Sequence, residues 1–348
     1  MFSLMLFLSS GIFLGWSLGA NDAANIFGTA VGTKMIRFRT AAIIGSVFVI
    51  LGAVISGAGA SETLGKLGAV NALPGAFTVA LSAGLTVLWM THFKLPVSTS
   101  QAIVGAIIGW NVYAQLPTDV SSLTTIVSTW VLCPVLSALF AFLMYYLFRF
   151  FISRTSWSII RLDAYTRTAL IIAGALGAYS LGANNIANVM GVFVPISPFE
   201  PSTLLFLQLN SAQKLFLLGG IAISVGIITY SKRVMETVGS GLFKLSPVAA
   251  LIVVLAHSAV LFVFASEGLK AWLTSLGLPS FPLVPVSSSQ AVVGAVIGIG
   301  LVKSWRNINF WVLGKIGIGW ITTPIASGLS SYMLLFVMQN LFLLEVYL

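Results

Sequence analysis

Six amide and carboxylate side chains recur at matching places in two copies of one short motif. The copies read GANDAAN from Gly19 and GANNIAN from Gly182. Side-chain oxygens of this kind suit a hard cation such as Na⁺. The predicted sodium-binding or central polar shell contains Asn21, Asp22, Asn25, Asn184, Asn185 and Asn188. Within this shell, the predicted Na⁺ ligands are Asp22, Asn25, Asn185 and Asn188.

A second repeated motif supplies hydroxyl groups. It reads PVSTSQAIVGAIIG from Pro96 and PVSSSQAVVGAVIG from Pro285, with eleven of fourteen positions identical. Pro followed by Ser is typical of a helix start, where free N–H groups, hydroxyl donors and the positive end of the helix dipole converge. Two such helix starts facing each other would bind a tetrahedral oxyanion. The predicted phosphate-binding residues are Ser98, Thr99, Ser100, Ser287, Ser288 and Ser289, and Gln101 and Gln290 join the central polar shell.

The composition places these motifs in a membrane. Of the 348 residues, 58% are hydrophobic and only 7% are charged, whereas a soluble domain carries about 25% charged residues. Apolar runs of about 20 residues, enough to cross a ~30 Å hydrocarbon core as helix, recur along the chain. We therefore predict an all-α integral membrane protein surrounded by the lipid bilayer of the cell (inner) membrane.

The membrane segments form two sets of five. They are predicted near 2–21, 40–60, 74–92, 96–114 and 122–150, and near 165–183, 203–231, 245–266, 285–302 and 309–340. The distribution of Lys and Arg places both termini outside and the hydrophilic linker 153–164 in the cytoplasm. Because each half has an odd number of segments, 1–152 and 165–348 are predicted to be inverted-topology repeats, an architecture typical of alternating-access transporters.

The polar motifs also predict broken or re-entrant helices. Gly19 and the Asn21-Asp22 pair are poor residues for the middle of a helix, and Asn and Asp are good caps for a helix that starts after them. We therefore expect a discontinuous helix around Asn21–Asn25. A break inside lipid is tolerated only where the backbone faces protein or a watery cavity, which would place these residues at an internal site.

The remaining acids and histidines have weaker signals. Glu62 and Glu236 occupy matching ETLG and ETVG segments at the ends of predicted spans, where ordinary interfacial residues are favoured over a possible second cation site or gate. Neither His92 nor His257 stands near other metal-ligating residues in the sequence. A histidine whose ring is hydrogen-bonded within the protein, or that snorkels toward the membrane surface, is therefore favoured at each position. With a single Cys and neither a nucleophile–base pair nor a phosphate-binding loop, the sequence favours neither an enzyme nor transport driven by ATP.

At these paired motifs the sequence resembles the inorganic phosphate transporter (PiT) family, over nearly the whole chain. The resemblance implies secondary transport of inorganic phosphate, coupled to Na⁺ in one branch and to H⁺ or metal–phosphate complexes in another. It also implies a homodimer. Many members have His where this chain has Gln101 and Gln290, so the obvious titratable partner for proton coupling is missing from both hydroxyl motifs.

The expected function is therefore a symporter that imports phosphate with Na⁺ by alternating access. The partners would be phosphate, Na⁺ and lipid, with no nucleic acid and no cofactor besides the coupling ion. The alternatives are proton-coupled transport, sulfate as the oxyanion, and an anion channel. A membrane-embedded enzyme is a more distant alternative.

Overall fold

The backbone is helical almost throughout, as the composition predicts. The computed structural model describes residues 2–68, 70–92, 97–156, 158–204, 207–241, 245–303 and 310–348. The helices are α1 (Phe2–Gly32), α2 (Phe38–Ser56), α3 (Ala58–Leu67), α4 (Leu73–His92), α5 (Thr99–Ala114), α6 (Val120–Ser153), α7 (Ile159–Met190), α8 (Ser211–Thr229), α9 (Ser231–Gly241), α10 (Pro247–Val263), α11 (Glu267–Ser275), α12 (Ser288–Lys303) and α13 (Phe310–Asn340). A 3₁₀ turn (Gly191–Phe193) follows α7, and the strands β1 (Ser202–Leu204) and β2 (Leu207–Leu209) form a small antiparallel hairpin.

The number of full membrane spans is smaller than predicted. Within the described residues, seven helices are long and apolar enough to cross a membrane, or up to eight if α10 and α11, bent by 71°, count as one span. The predicted spans at 96–114 and 285–302 are α5 and α12, each of 16 residues. At 1.5 Å per residue each is only about 24 Å long, shorter than the ~30 Å hydrocarbon core. The predicted span at 203–231 begins in the hairpin, and its helix starts only at Ser211.

The predicted helix break at Asn21–Asn25 is wrong. The first helix continues through this motif to Gly32, and α7 continues through the second copy to Met190. Gly19 instead permits close packing, because a Cβ there would overlap the Ile223 carbonyl oxygen of α8. Asn21 satisfies its own side chain within the helix, donating to the Ser17 carbonyl at 3.1 Å. Tertiary packing thus outweighs the modest helix penalty of Gly, about 1 kcal/mol.

The membrane helix α2 shows how one face is suited to packing. Its buried residues are mostly small: Ala41, Ala42, Gly45, Ser46, Val49, Gly52 and Ala53. The opposite face carries large apolar side chains at every fourth position: Ile43, Val47, Leu51 and Ile55 are 42–65% exposed. Small residues let membrane helices approach closely, while the large ones face lipid.

The two halves of the sequence interlock. α1 packs against α8 and α2 against α7, while α5 packs against α13 and α12 against α6. Matching glycines make matching contacts: a Cβ on Gly182 would overlap the Val49 carbonyl oxygen of α2, as one on Gly19 would overlap that of Ile223 in α8. The division into inverted repeats remains a prediction, and these paired contacts agree with it.

Both ends of the described chain lie at the same end of the molecule. Phe7 in α1 and Phe77 in α4 are in edge-to-face contact, with ring centroids 5.9 Å apart. The Asn71 side chain donates to the Leu348 carbonyl at 2.8 Å and accepts from the Leu348 N–H at 3.0 Å. This agrees with termini on one side, although which side remains a prediction. The non-helical connection between the halves is shorter than the predicted linker 153–164, because α7 begins at Ile159.

Candidate functional site

The two hydroxyl motifs begin α5 and α12 in the same way. Ser98 Oγ accepts the Gln101 N–H at 3.3 Å, and Ser287 Oγ accepts the Gln290 N–H at 3.2 Å. Each hydroxyl satisfies one of the four N–H groups that a helix start leaves without an intrahelical acceptor. The other first-turn N–H groups, with the positive end of the dipole, make each helix start suited to an anion. Pro96, the first residue of the first motif, lies outside the described residues.

A reciprocal pair of hydrogen bonds joins the motifs to each other. Ser100 Oγ donates to the Val286 carbonyl at 2.9 Å, and Ser289 Oγ donates to the Val97 carbonyl at 2.9 Å. Each donor lies in the first turn of one helix, and each acceptor lies just before the other helix. The two helix starts therefore meet, and anion binding between them stays a prediction.

The asparagines of α1 and α7 contact these same hydroxyl groups. Asn188 Nδ2 lies 2.8 Å from Ser100 Oγ and 2.9 Å from Asn185 Oδ1, and it donates to both. Asn25, which matches Asn188 in the first half, donates from Nδ2 to Ser288 Oγ at 3.0 Å. The predicted cation shell and the predicted phosphate shell are thus joined by direct hydrogen bonds.

The first asparagine of each motif has a different role from the last. Asn184 Nδ2 donates to the Val284 carbonyl at 2.9 Å, and its Oδ1 accepts the Val286 N–H at 2.8 Å. These two bonds hold the extended segment that leads into α12. Asn21, the matching residue, is half-buried and bonds within α1. Within the described residues, neither side chain bonds to a hydroxyl group of the two motifs or to another member of the predicted central polar shell.

Asp22 is a buried carboxylate that still needs compensation. It is 5% exposed and lies one helical turn before Asn25, on the same side of α1. No hydrogen bond or ion pair from a described residue reaches it, and no Lys or Arg with a described side chain is buried. A lone buried charge is too costly to persist, so a bound cation or a proton must neutralise it.

Buried amide groups near the two hydroxyl motifs provide further hydrogen-bond acceptors and one further donor for a ligand. Within the described part of the chain, the oxygens of Gln101, Gln290 and Asn188 and the Nδ2 of Asn185 have no hydrogen-bond partner. Leaving such an atom unpaired costs about 1–3 kcal/mol. The oxygens can accept from a protonated oxyanion or ligate a cation, and the N–H groups can donate to an anion.

The hydroxyl motifs are enclosed by protein. Ser289 is the most exposed of the eight Ser, Thr and Gln residues at 8%, and the other seven are at most 3% exposed. An ion bound among them would be shielded from bulk water, which strengthens every electrostatic contact it makes.

Glu62 and Glu236 are not brought to the hydroxyl motifs. Glu62 is exposed on α3 and pairs with Lys66 one turn later, its Oε1 lying 2.7 Å from Nζ. The hydrogen bond from Lys66 holds the pKa of Glu62 below its ordinary value. Glu236 is exposed on α9. Ordinary interfacial residues remain the better interpretation, and no structural observation favours a second cation site or gate at either position.

One residue of the site was missed by the sequence analysis. His257 of α10 is fully buried, and its Nε2 lies 2.9 Å from Ser288 Oγ. In the sequence it stands alone in an apolar run, so only its type, unusual inside a membrane segment, could have drawn attention to it. The only titratable ring near the hydroxyl motifs in the described chain thus comes from a separate helix.

Comparison with known proteins assigns the family. Residues 18–331 match the sequence model of the phosphate transporter family. The chain belongs to this family. This phosphate transporter family member is a multi-pass membrane protein, and the predicted resemblance is confirmed.

Individual relatives of this family member are distant but cover it almost completely. A provisionally named phosphate permease of Thermococcus kodakarensis is 26% identical, over 95% of this chain and 96% of its own length. One from Methanocaldococcus jannaschii is 27% identical, over 95% and 97%. Sulfate permease CysP of Bacillus subtilis is 29% identical, over 93% of this chain and 84% of its own length.

A solved structure shares the fold. The protein described as "The sodium-dependent phosphate transporter" superposes with a TM-score of 0.77, over 97% of this chain and 99% of that chain, at 24% sequence identity. The helical membrane fold predicted from the sequence is therefore confirmed at the level of the whole chain.

Proposed function

We propose that this family member is a secondary active symporter that imports inorganic phosphate with Na⁺. The observation that carries the proposal is the hydrogen bonding of Asn25 to Ser288 and of Asn188 to Ser100. These bonds join an oxygen-rich cation shell to a hydroxyl-rich anion shell in one enclosed place. Family membership supports phosphate as the anion, and the fold neighbour, which is named as sodium-dependent, supports Na⁺ as the coupling ion.

Charge explains why the two ions would travel together. Two like unit charges 4 Å apart repel by about 4 kcal/mol at an effective dielectric constant near 20. Phosphate would meet that repulsion from Asp22, and within the described residues no buried Lys or Arg offsets it. Na⁺ held by Asp22 and by the amide oxygens of Asn25, Asn185 and Asn188 would remove the repulsion and then attract the anion. Each ion would therefore raise the affinity for the other.

Alternating access in this fold requires bundles to move, not sequence halves. Sliding 1–152 against 165–348 would separate α1 from α8, α2 from α7 and α5 from α13, all of which are closely packed. A motion that preserves these contacts would move α4, α5 and α13, or α6, α10 and α12, against the α1–α2–α7–α8 scaffold, with α4 sliding on α1 or α10 sliding on α7. The site lies where these groups meet, because α5 and α12 carry the hydroxyls while α1 and α7 carry the amides.

Sulfate is the second candidate, favoured by the similarity to a sulfate permease. Sulfate and phosphate have the same tetrahedral shape, and the hydroxyl groups whose protons are not donated to a backbone carbonyl could donate to either. Phosphate at neutral pH also carries a proton that can be donated to Asp22 or to the unpaired oxygen of Gln101 or Gln290. Sulfate cannot make that bond, so these acceptors favour phosphate.

The deciding experiment is uptake of radiolabelled phosphate by proteoliposomes of the purified protein. An inward Na⁺ gradient is compared with K⁺ at equal pH, with one arm containing excess unlabelled sulfate. We expect uptake that requires Na⁺ and is not inhibited by sulfate. Uptake without Na⁺ would move the coupling to protons or to no ion at all, current without fixed Na⁺ stoichiometry would indicate a channel, and sulfate inhibition would show that sulfate competes for the same site.

We also propose a homodimer with the 153–164 linker in the cytoplasm and both termini outside. The orientation is testable because the chain has one cysteine, Cys133, and it is buried. A new cysteine at exposed Thr155 should react with an impermeant maleimide only in inverted vesicles. One at exposed Ser275, on α11, should react from outside intact cells. Dimers are measured by the mass of the detergent-solubilised protein.

A further inference from the structure

The Ser288 hydroxyl is shared by side chains from two different helices. Asn25 of α1 donates to its Oγ at 3.0 Å, and His257 Nε2 of α10 lies 2.9 Å from the same oxygen. His257 and Ser288 are both buried, at 0% and 2% exposure. The arrangement connects a predicted Na⁺ ligand, a predicted phosphate ligand and a histidine that the mechanism above leaves without a role.

The hydrogen-bonding capacity of a hydroxyl limits the possible arrangements. A serine hydroxyl has one proton to donate and two lone pairs that accept. Asn25 Nδ2 occupies one lone pair. If His257 Nε2 carries a proton, it occupies the other, and the Ser288 proton must point to a third group. If Nε2 is unprotonated, Ser288 donates to His257 and has no proton for an anion.

The other ring nitrogen decides between these tautomers. Within the described residues, His257 Nδ1 is buried and has no hydrogen-bond partner. Placing the proton on Nδ1 would bury an unpaired N–H donor, whereas placing it on Nε2 leaves an unpaired acceptor on the ring and a Ser288 proton that a bound anion can accept. Buried unpaired N–H groups are rarer in proteins than under-satisfied acceptors. The Nε2–H tautomer is therefore the one that fits this environment.

We propose that His257 is a positioning residue for the transported anion. Its Nε2–H and the Asn25 amide occupy both lone pairs of Ser288, so that the Ser288 proton is held toward the anion. The same Asn25 amide offers its oxygen to Na⁺ and its N–H to Ser288, and hydrogen bonds in such a chain strengthen one another. Na⁺ at Asn25 thereby improves the Ser288 donor. This inference deepens the proposed function and rests on it.

The first hydroxyl motif lacks this device. Thr99 occupies the position that matches Ser288, and its hydroxyl makes no hydrogen bond to a described residue. Anion positioning through a histidine is therefore confined to the second motif, and substitution of His257 should affect only anion interactions that pass through Ser288.

The test uses the full-length protein and substitutions that differ in where they place a donor. The Gln side chain puts its amide near the position of Nε2, the Asn side chain puts it near Nδ1, and Phe has no donor. We compare His257→Gln, His257→Asn and His257→Phe for phosphate KM at saturating Na⁺, and for phosphate binding to purified protein with and without Na⁺. Ser258→Ala, the next residue of α10, is the matched control because its hydroxyl bonds only to backbone carbonyls in the described chain, Val254 of its own helix and Ala173 of α7, and to no residue of the site.

The expected pattern is specific. His257→Asn and His257→Phe should weaken phosphate binding about tenfold to a hundredfold, the range for one lost hydrogen bond to a charged group. His257→Gln should stay within about threefold of the wild type, and Ser258→Ala should match it. Equal phosphate affinity in all four variants, or equal losses in the three His257 variants, would overturn the positioning role.

A double substitution keeps the test decisive if stability also falls. Ser288→Ala removes the other end of the bond, so His257→Asn added to it should cost no further phosphate affinity. Additive losses would overturn the inference. If the wild-type protein takes up phosphate and these variants keep the wild-type phosphate affinity, only the His257 role is overturned. If the wild-type protein binds sulfate but not phosphate, the proposed substrate is overturned, and the same variants are then compared for sulfate binding to test the His257 role. If the wild-type protein binds neither anion, both the proposed substrate and the His257 role are overturned.

Discussion

The two hydroxyl motifs have nearly the same sequence and begin their helices with the same serine cap, but they have different neighbours. Ser100 of the first accepts from Asn188, whose partner Asn185 replaces the acid of the other copy. Ser288 of the second accepts from Asn25, one turn after Asp22, and also contacts His257. Among the described residues, the turn of α1 that follows Asp22 is therefore hydrogen-bonded to the second motif and not to the first.

This difference suggests a division of labour within one site. Local sequence makes two similar helix starts, each predicted to bind an anion, and the helices packed around them make the two unequal. A duplicated unit can keep a symmetrical scaffold, as the paired glycine contacts indicate, while a few substitutions give it a single asymmetric ion site. The following experiments test whether the asymmetry controls function.

The largest effect is expected from removing the acid. Asp22→Asn should abolish Na⁺-dependent phosphate uptake, because the neutral amide no longer needs or attracts a cation. Uptake into proteoliposomes measures the loss, and thermal melting shows that the protein remains folded. Asp163→Asn is the control, since it loses only an exposed pair with Arg167. An Asp22→Asn protein that keeps its Na⁺ dependence would contradict the assignment of the cation site.

A smaller effect on uptake is expected from removing one hydroxyl group from each motif, and this effect should differ between the two motifs. Ser288→Ala should raise both the phosphate KM and the Na⁺ concentration for half-maximal uptake, each by about tenfold, because the link to Asn25 is lost. Thr99→Val, which removes the matching hydroxyl and keeps the shape, should raise the phosphate KM without changing the Na⁺ requirement. Equal changes in the Na⁺ requirement would show that the two motifs are coupled to the cation alike.

Substitution of the matching buried glycines should lower the stability of the protein by similar amounts in the two halves, in contrast to the unequal effects expected in the site. Gly19→Ala and Gly182→Ala each place a Cβ against a backbone carbonyl of a neighbouring helix. Each should therefore destabilise the protein by about 1–3 kcal/mol, measured by thermal melting in detergent. Gly65→Ala on α3 has open space around it and should be neutral or slightly stabilising. A loss at only one of the two buried glycines would argue against matched packing.

The smallest effect is expected at the repeated glutamate of the first half. Glu62→Gln should remove at most about 0.3–0.5 kcal/mol, typical of an exposed helical pair with Lys66. Since the pKa of Glu62 is lowered by Lys66, this stabilisation is present at neutral pH and is lost as the pH falls through the folded-state pKa. Uptake kinetics should be unchanged. A large loss of uptake would support the second cation site or gate that the sequence left open.

Several features could be predicted because they depend on local chemistry or on composition. Lipid-facing helices follow from a chain with 7% charged residues. The serine caps of α5 and α12 follow from residues within three positions of each other. The two motifs that meet in the site could also be found, because each occurs twice and neither has a purpose on a lipid-facing surface.

Other features depended on tertiary structure. The helix break expected at Asn21 does not occur, because close packing of Gly19 against α8 favours a continuous helix, and its gain exceeds the local preference of a few residues. His257 could not be assigned to the site, since 31 residues separate it from Ser288 and 232 from Asn25. Short-range sequence preferences were enough to identify the motifs and to predict the starts of their helices. Only the packing of α1, α7 and α10 around those starts decided which motif receives the charge.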